Sequence, residues 1–383
     1  MTTHNATATA AAQAPAPTRK LGGSASSISV GQIAFGLMGM TWCSIGSRTP
    51  DTQAFETMKA AADSGATLWN TGAFYGPTED PYANLDLLKR FFDANPDYKD
   101  RVFLSVKGGL HQPSFREKGI FGSFFDSTPS NLEEDLRHIR AHLGTDQGGK
   151  QIDFYEMARI DTKVPIEEAM QNLLSLSSQT YTDAKSGQEV RGKGLFHHIS
   201  ISEVGAETIR RAAKAAPLAF VEIEYSPFCR DADELGVVRV CEELQLPILA
   251  YSPVGKGMLT GAIKSRADLP EGDMRLTQDK FSEEHFENNL KLAHIFQELA
   301  SKREDKCTPA QLALAWLIHR SASGLVVPLP GSSKAERVRE NTAAARLVLS
   351  PAEVRQIDAV LDEFGVHGGR YSEAARKHQP LWG

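Results

Sequence analysis

Two residues with matched acid–base properties stand close to the ends of neighbouring apolar runs: Tyr75 in LWNTGAFYGP and Lys107 in LSVKGG. A phenol ordinarily titrates at about 10, too high for easy proton exchange near neutrality. A nearby ammonium favours the phenolate and lowers that value. The hydroxyl then becomes a workable general acid for an alkoxide forming from a carbonyl. Each residue alone is common in ordinary packing, but both fall at adjacent run ends and each is followed by glycine. Asn70, in the first run, can hydrogen-bond the lysine but brings no charge to it. A third run, FYEMARID, ends on Ala158, Arg159 and Asp161. No metal site is expected, because the doublet His197–His198 falls on a strand pattern that would point the two rings to opposite faces. No G-x-S-x-G elbow supports a nucleophilic serine.

The elements that must position these residues alternate regularly. Short runs rich in β-branched and aromatic residues predict strands at Gln32–Gly36, Thr67–Thr71, Val102–Lys107, Ile152–Met157, Leu195–Ile201, Ala219–Glu224, Pro247–Tyr251 and Leu325–Leu329. Amphipathic stretches between them predict helices at Thr52–Ser64, Ala83–Ala94, Ser130–Leu143, Pro165–Ser177, Gly205–Ala215, Asp233–Leu244, Ala310–His319 and Lys334–Ala344. Eight successive strand–helix units imply an α/β protein, a (β/α)8 TIM barrel, with the site at the strand C-termini. An open doubly wound sheet would need G-x-G-x-x-G after its first strand, and Gly36-Leu37-Met38-Gly39-Met40 lacks that spacing. The polar stretch Gln179–Gly194 reads as an insertion on the opposite face, and Gly255–Asn289 as a long loop over the site.

Composition limits the remaining choices. The chain has 383 residues, 41% hydrophobic and 23% charged, with a net charge of −6. That is enough for a large core, and it gives no basic excess for a nucleic-acid partner. Cys43, Cys229, Cys241 and Cys307 are scattered, which fits a reducing compartment rather than a disulfide framework. No apolar run approaches the ~20 residues of a membrane span. Residues 1–28 are expected to be a disordered tail and residues 29–383 a single barrel domain with a C-terminal extension. A cytoplasmic location follows, with the nucleus as an alternative. Oligomeric state is left open.

Taken together, GLMGMTW, LWNTGAFYG, LSVKGG, VEIEYSPFCRD, ILAYSPVGKGMLTG and VPLPGSSKAERVREN resemble the aldo-keto reductase superfamily from about Ser29 to Asp362. The resemblance implies that Tyr75 is the proton donor and Lys107 the catalytic lysine. It also marks two departures: Asn70 stands where the family has Asp, and Ala158 where it has His. Asn70 in N-x-G-x-F-Y-G, the ARID sequence and the tail Val366-His367-Gly368-Gly369-Arg370-Tyr371 are similar to the fungal pyridoxal reductase branch. Reduction of pyridoxal to pyridoxine, a reaction of vitamin B6 salvage, with NADPH is therefore implied. A general aldehyde or aryl-alcohol reductase and a non-catalytic NADPH-binding subunit are the alternatives.

For the cofactor, the resemblance implies ring stacking on Tyr251 and carboxamide contacts from Ser202, Glu203 and Glu222. It places Ser252, Val254, Gly257 and Leu259 against the pyrophosphate, Gly36, Leu37 and Met38 at the first strand end, and Glu340 and Asn341 at the adenine. Ser332, Ser333, Lys334 and Arg337 open the last barrel helix, where free N–H groups and two cations suit a 2′-phosphate. NADPH is accordingly expected over NADH. Trp42 and Phe74 offer aromatic surface to a small-molecule aldehyde, Arg159 could help polarise it or face outward, and Arg370 and Tyr371 could close over it.

Overall fold

In a computed structural model the described residues are 14–42, 48–184, 186–320, 324–371 and 382. Cys43 and residues 1–13 of the expected tail lie outside them. Eight parallel strands form the barrel: β3 (Phe35–Gly36), β4 (Leu68–Gly72), β5 (Phe103–Gly108), β6 (Phe154–Met157), β9 (His198–Ser202), β10 (Leu218–Glu224), β11 (Ile248–Tyr251) and β12 (Val326–Leu329). A parallel bridge between Gly36 and Gly331 joins the first strand to the last, and Ala34 and Gly36 donate to the carbonyls of Pro328 and Pro330. The TIM-barrel architecture expected from the alternating pattern is present.

The helices outside the barrel include α1 (Asp51–Ser64), α2 (Ala83–Ala94), α3 (Gln112–Gly122), α4 (Pro129–Leu143), α5 (Ile166–Leu176), α6 (Ala206–Ala215), α7 (Asp231–Glu234) and α8 (Val237–Glu243). They continue with α9 (Glu283–Ser301), α10 (Pro309–Arg320), α11 (Ala335–Ala343) and α12 (Pro351–Phe364). The single helix expected over Asp233–Leu244 is two, because Gly236 takes a left-handed φ of 71° between α7 and α8. Among the described residues no helix is long and apolar enough to cross a membrane.

Strand alternation explains how one sheet serves both stability and chemistry. Leu68, Phe154, Phe220, Leu249 and Val327 form an apolar layer low in the barrel. Two residues further along the same strands, polar Asn70, Glu156 and Glu222 are also buried. The intervening residues, such as Trp69, Tyr155 and Val221, join the main core cluster with the helices.

The expected tail is shorter than the sequence reading made it. β1 (Thr18–Lys20) pairs antiparallel with β2 (Ser29–Gly31), and Leu21, Ala25 and Val30 belong to that low apolar layer. The hairpin is the floor of the barrel, so residues 14–28 are structured because they cover apolar surface the strands leave open. The insertion at residues 179–194 contains a second hairpin, β7 (Thr180–Thr182) with β8 (Glu189–Arg191). The backbone of Leu195 and Phe196 is engaged with Leu176, Ser177 and Ser178, so the fifth barrel strand begins at His198 rather than at Leu195.

Behind β5 and β6, Asp135 of α4 is fully buried, accepting hydrogen bonds from Gly109 N at 2.9 Å and from Tyr155 Oη at 2.8 Å. A Cβ at Gly108 would lie 2.2 Å from its Oδ2, so only glycine fits there. Burial raises its pKa from 3.8 to about 6, against the pull of those two bonds. A raised carboxyl contributes stability below its unfolded value that is lost as pH rises through the folded one. Between about pH 4 and about pH 6, therefore, the wild type should lose up to ~3 kcal/mol relative to Asp135→Asn. Urea midpoints of the two proteins across that window measure it; a constant difference between them would contradict the assignment.

Candidate active site

The residues singled out first converge at the C-terminal end of the barrel. β4 and β5 pair so that Asn70 lies opposite Ser105 and Gly72 opposite Lys107. Beyond β4 the chain turns sharply, with Tyr75 N bonded to Gly72 O at 3.3 Å. A Cβ on Gly72 would touch the Tyr75 ring at 3.1 Å, and one on Gly76 would collide with Asp80 O at 2.1 Å. The glycines of N-T-G-A-F-Y-G thus permit the turn that seats the tyrosine. Thr41 Oγ1 fixes it further, donating to Tyr75 O at 2.6 Å and itself receiving Asn84 Nδ2 of α2 at 2.6 Å.

Lys107 Nζ donates to Asn70 Oδ1 at 2.5 Å and to Glu222 Oε2 at 2.7 Å, with Glu156 Oε1 at 3.5 Å. Asn70 Nδ2 donates to Glu156 Oε2 at 3.0 Å and Glu222 Oε2 at 2.8 Å, and Ser105 Oγ donates to Glu156 Oε2 at 3.0 Å. Asn70 therefore holds the lysine, and the negative charge that it cannot supply comes from the paired carboxyl groups of Glu156 and Glu222. Glu222 is correspondingly turned into the barrel and engaged there, which corrects its placement as a carboxamide contact. Burial alone would lower the Lys107 pKa, but Glu156 and Glu222 hold it above its ordinary value.

The same carboxylates alter the acid–base expectation for Tyr75. Burial pushes its pKa up to about 12; Lys107 pulls it down, while Glu222 and Glu156 push it up. The lysine's pull is real, with Nζ 5.8 Å from the ring centroid, but it does not outweigh burial. Tyr75 is thus held protonated across the neutral range.

Around the tyrosine lies an aromatic cluster. Phe74, Tyr75, Leu110, Phe115 and Ala158 are buried together, with Trp42, Ile120 and Phe125 packed against them. Trp42 and Phe74 sit 5.8 Å and 5.4 Å from the Tyr75 ring. Ala158 is one of the buried members of that cluster.

Arg159 folds back over the rim, with Nη1 2.5 Å from Ala158 O and Nη2 3.5 Å from Tyr371 Oη. Arg370 is corrected from a substrate contact to an anchor. It is buried, bidentate to Glu203 at 3.0 and 2.8 Å, 3.3 Å from Asp231 and 3.7 Å from Glu224. Arg370 and Arg159 overcome the effect of burial and hold the Glu203 pKa at about 2. Glu203 is thereby committed to the C-terminal segment rather than free for a carboxamide. Ser202 Oγ donates to Ala158 O at 3.1 Å, bridging strands β6 and β9.

The residues present fit a nicotinamide dinucleotide at one end and correct the expectation in the middle. Tyr251 stands half-buried at the end of β11, and Ser252 follows with a φ of 52°. Val254 O accepts the N–H groups of both Gly257 and Leu259 at 3.2 Å, and Leu259 is buried in the core, so neither residue presents a free donor to a pyrophosphate. Gly36 joins the barrel seam, Leu37 is fully buried and Met38 is exposed.

At the far end stands the first turn of α11, whose N-cap Lys334 makes no side-chain capping hydrogen bond. Lys334 and Arg337 are exposed, and neither forms an ion pair with any described residue. Ser332 Oγ accepts Lys334 N at 3.1 Å, and Ser333 O accepts Gln53 Nε2 at 2.7 Å, fixing the approach to the helix. Two unpaired cations at a helix N-terminus suit a dianionic phosphate. Glu340 Oε1 is occupied by Thr308 Oγ1 at 2.7 Å, with half-buried Asn341 beside it.

Residues 32–362 match the model of the aldo/keto reductase family. The chain belongs to that family. A relative from Schizosaccharomyces pombe named "Probable pyridoxal reductase 2" is 34% identical over 348 residues, covering 90% of this chain and 95% of its own. A second from the same yeast, the aldo-keto reductase yakc, designated NADP(+), is 33% identical over 362 residues, covering 94% and 95%. Among solved structures, a glycerol dehydrogenase from Gluconobacter oxydans superposes with a TM-score of 0.73 at 22% identity, covering 92% of this chain and 97% of that one. This aldo-keto reductase is thus an oxidoreductase of a family that acts on small carbonyl compounds with NAD(P)H.

Sequence reading missed Glu156, Ser105, Glu224 and Lys256, the last paired with Glu224 at 2.9 Å. A glutamate in the middle of a buried strand was the available signal, since such residues stay buried only when paired.

Proposed function

We propose that this aldo-keto reductase reduces an aldehyde to an alcohol with NADPH, pyridoxal being the substrate. The observation that carries the reading is Tyr75 set in an aromatic cluster and backed by a buried Lys107 that the Glu156–Glu222 pair keeps charged. When bound, NADPH supplies the hydride that the carbonyl carbon accepts. Tyr75 gives its proton to the oxygen, and Lys107 stabilises the phenolate left behind. Burial of the site excludes water from both steps. Trp42 and Phe74, beside the Tyr75 ring, are the aromatic side chains placed to meet a pyridine ring. The name borne by the 34%-identical relative supports pyridoxal in particular.

A panel of pyridoxal, its 5′-phosphate, and simple aryl and sugar aldehydes tests the substrate. Pyridoxal should give the highest kcat/KM, and a higher value for a simple aryl aldehyde would reject it. For the cofactor, Lys334→Ala with Arg337→Ala should weaken NADPH by roughly 1.5–3 kcal/mol, about the worth of charge-assisted hydrogen bonds, and leave NADH nearly unchanged. Fluorescence titration of both cofactors measures this; equal weakening would show that the two cations do not read the 2′-phosphate.

A further inference from the structure

The buried acid group of this site comes from a different strand than the family pattern leads one to expect. Glu222 of β10 and Glu156 of β6 both accept from the Asn70 amide, and Lys107 lies 2.7 Å from the first and 3.5 Å from the second. Tyr75 is the one further titratable group facing this cluster among the described residues. Glu156 Oε1 is buried without a hydrogen-bond partner among them. Two carboxyl groups this close to one ammonium hold a net neutral arrangement when they share one proton.

We propose that Glu222, backed by Glu156, is the positioning carboxyl of this reductase: it orients Lys107 and returns a proton through it to Tyr75 after each turnover. The inference rests on Tyr75 acting as the acid. In the step, the Tyr75 O–H bond breaks and its proton joins the alkoxide oxygen, leaving a phenolate. An N–H proton of Lys107 passes to the phenolate, and the Glu222 carboxyl proton passes to the lysine nitrogen. Solvent then reprotonates the carboxylate, so the cycle is balanced in protons and involves no further electron transfer. Burial and the neighbouring Glu156 raise the Glu222 pKa to about 8, which keeps a transferable proton on the pair at neutrality. Asn70, which has no ionisable proton, cannot take this part.

Glu222→Gln should lower kcat by roughly 10²-fold, remove the alkaline limb of the kcat–pH profile, and change the aldehyde KM by less than about two-fold. Returning a carboxylate to strand β4 in the double variant Asn70→Asp with Glu222→Gln should recover most of the lost kcat. In cofactor-free protein labelled at its glutamate carboxyl carbons, one resonance lost in Glu222→Gln should titrate far above the ordinary carboxyl range. An unchanged kcat and pH profile, or a change confined to NADPH affinity, would overturn the proposal. If Glu222→Gln alone does not fold, the double variant, which keeps a carboxylate on the lysine, carries the test. If the wild type reduces no aldehyde, the reductase reading fails, while the resonance still decides whether Glu222 holds the proton.

Discussion

Tyr75→Phe is expected to lower aldehyde turnover by roughly 10²–10⁴-fold while leaving NADPH affinity and the fold intact. The magnitude is that of a lost general acid, and the neighbouring hydroxyls Ser105 Oγ and Ser202 Oγ are committed to Glu156 and to Ala158 O. The fold should survive because the ring carries the packing, edge-on to Phe74 and against Trp42 and the open face of Gly72. Loss of one hydroxyl should cost no more than about 1.5 kcal/mol. Because the Tyr75 pKa stands at about 12, the wild-type donor stays protonated well above neutrality, so any alkaline fall in kcat below that range reports another group. Steady-state kinetics with a parallel cofactor titration checks the first claim. Equal turnover by the Phe variant would remove Tyr75 from the mechanism.

Lys107→Met is expected to cost stability as well as activity. The lysine is the cation facing Glu156 and Glu222, both buried at the strand centres. Removing one partner of a buried ionic cluster typically costs about 3–5 kcal/mol, since the charge left behind has neither water nor a counter-ion. The Tyr75 pKa would rise further, because the one group pulling it down would be gone while burial and the carboxylates remain. Turnover should therefore fall at least as far as in Tyr75→Phe, and the urea midpoint should fall with it. The stability loss should be largely recovered when Glu222→Gln is added, because only one of the two carboxyl groups is then left to be neutralised. A Lys107→Met protein as stable as the wild type would show that the carboxyl pair is neutral without the lysine.

The barrel was legible because its strands obey two periodicities at once. Trp69 and Tyr155 pack outward while Leu68 and Phe154 face inward, and that alternation sits inside short runs bounded by turn residues. The floor hairpin was not legible, since Leu21, Ala25 and Val30 are isolated apolar residues in a Gly/Ser-rich stretch. What makes them structural is the open barrel end, a tertiary feature that no local pattern carries. Tyr75, Lys107 and Asn70 were readable from their place at strand ends. Glu222 was placed at the right strand end and given the wrong partner, because spacing says which face a residue occupies and not which neighbour it finds there. Arg370 was read as a residue that could close over the substrate. Its burial against Glu203, Glu224 and Asp231 depends on residues far from it in sequence. Gly257 and Leu259 were carried over by motif, and the fold of their own loop turns their N–H groups onto Val254.

The central claim is that Tyr75 and a bound nicotinamide cofactor together convert an aldehyde to an alcohol. Its most direct test is a reaction of the purified protein with pyridoxal and NADPH carrying deuterium in both positions at the reducing carbon of the nicotinamide. One deuterium should appear on the new alcohol carbon of pyridoxine, in step with cofactor oxidation, and Tyr75→Phe should suppress both together. Tight NADPH binding with no deuterium transferred to pyridoxal or to any other aldehyde of the panel would contradict the account.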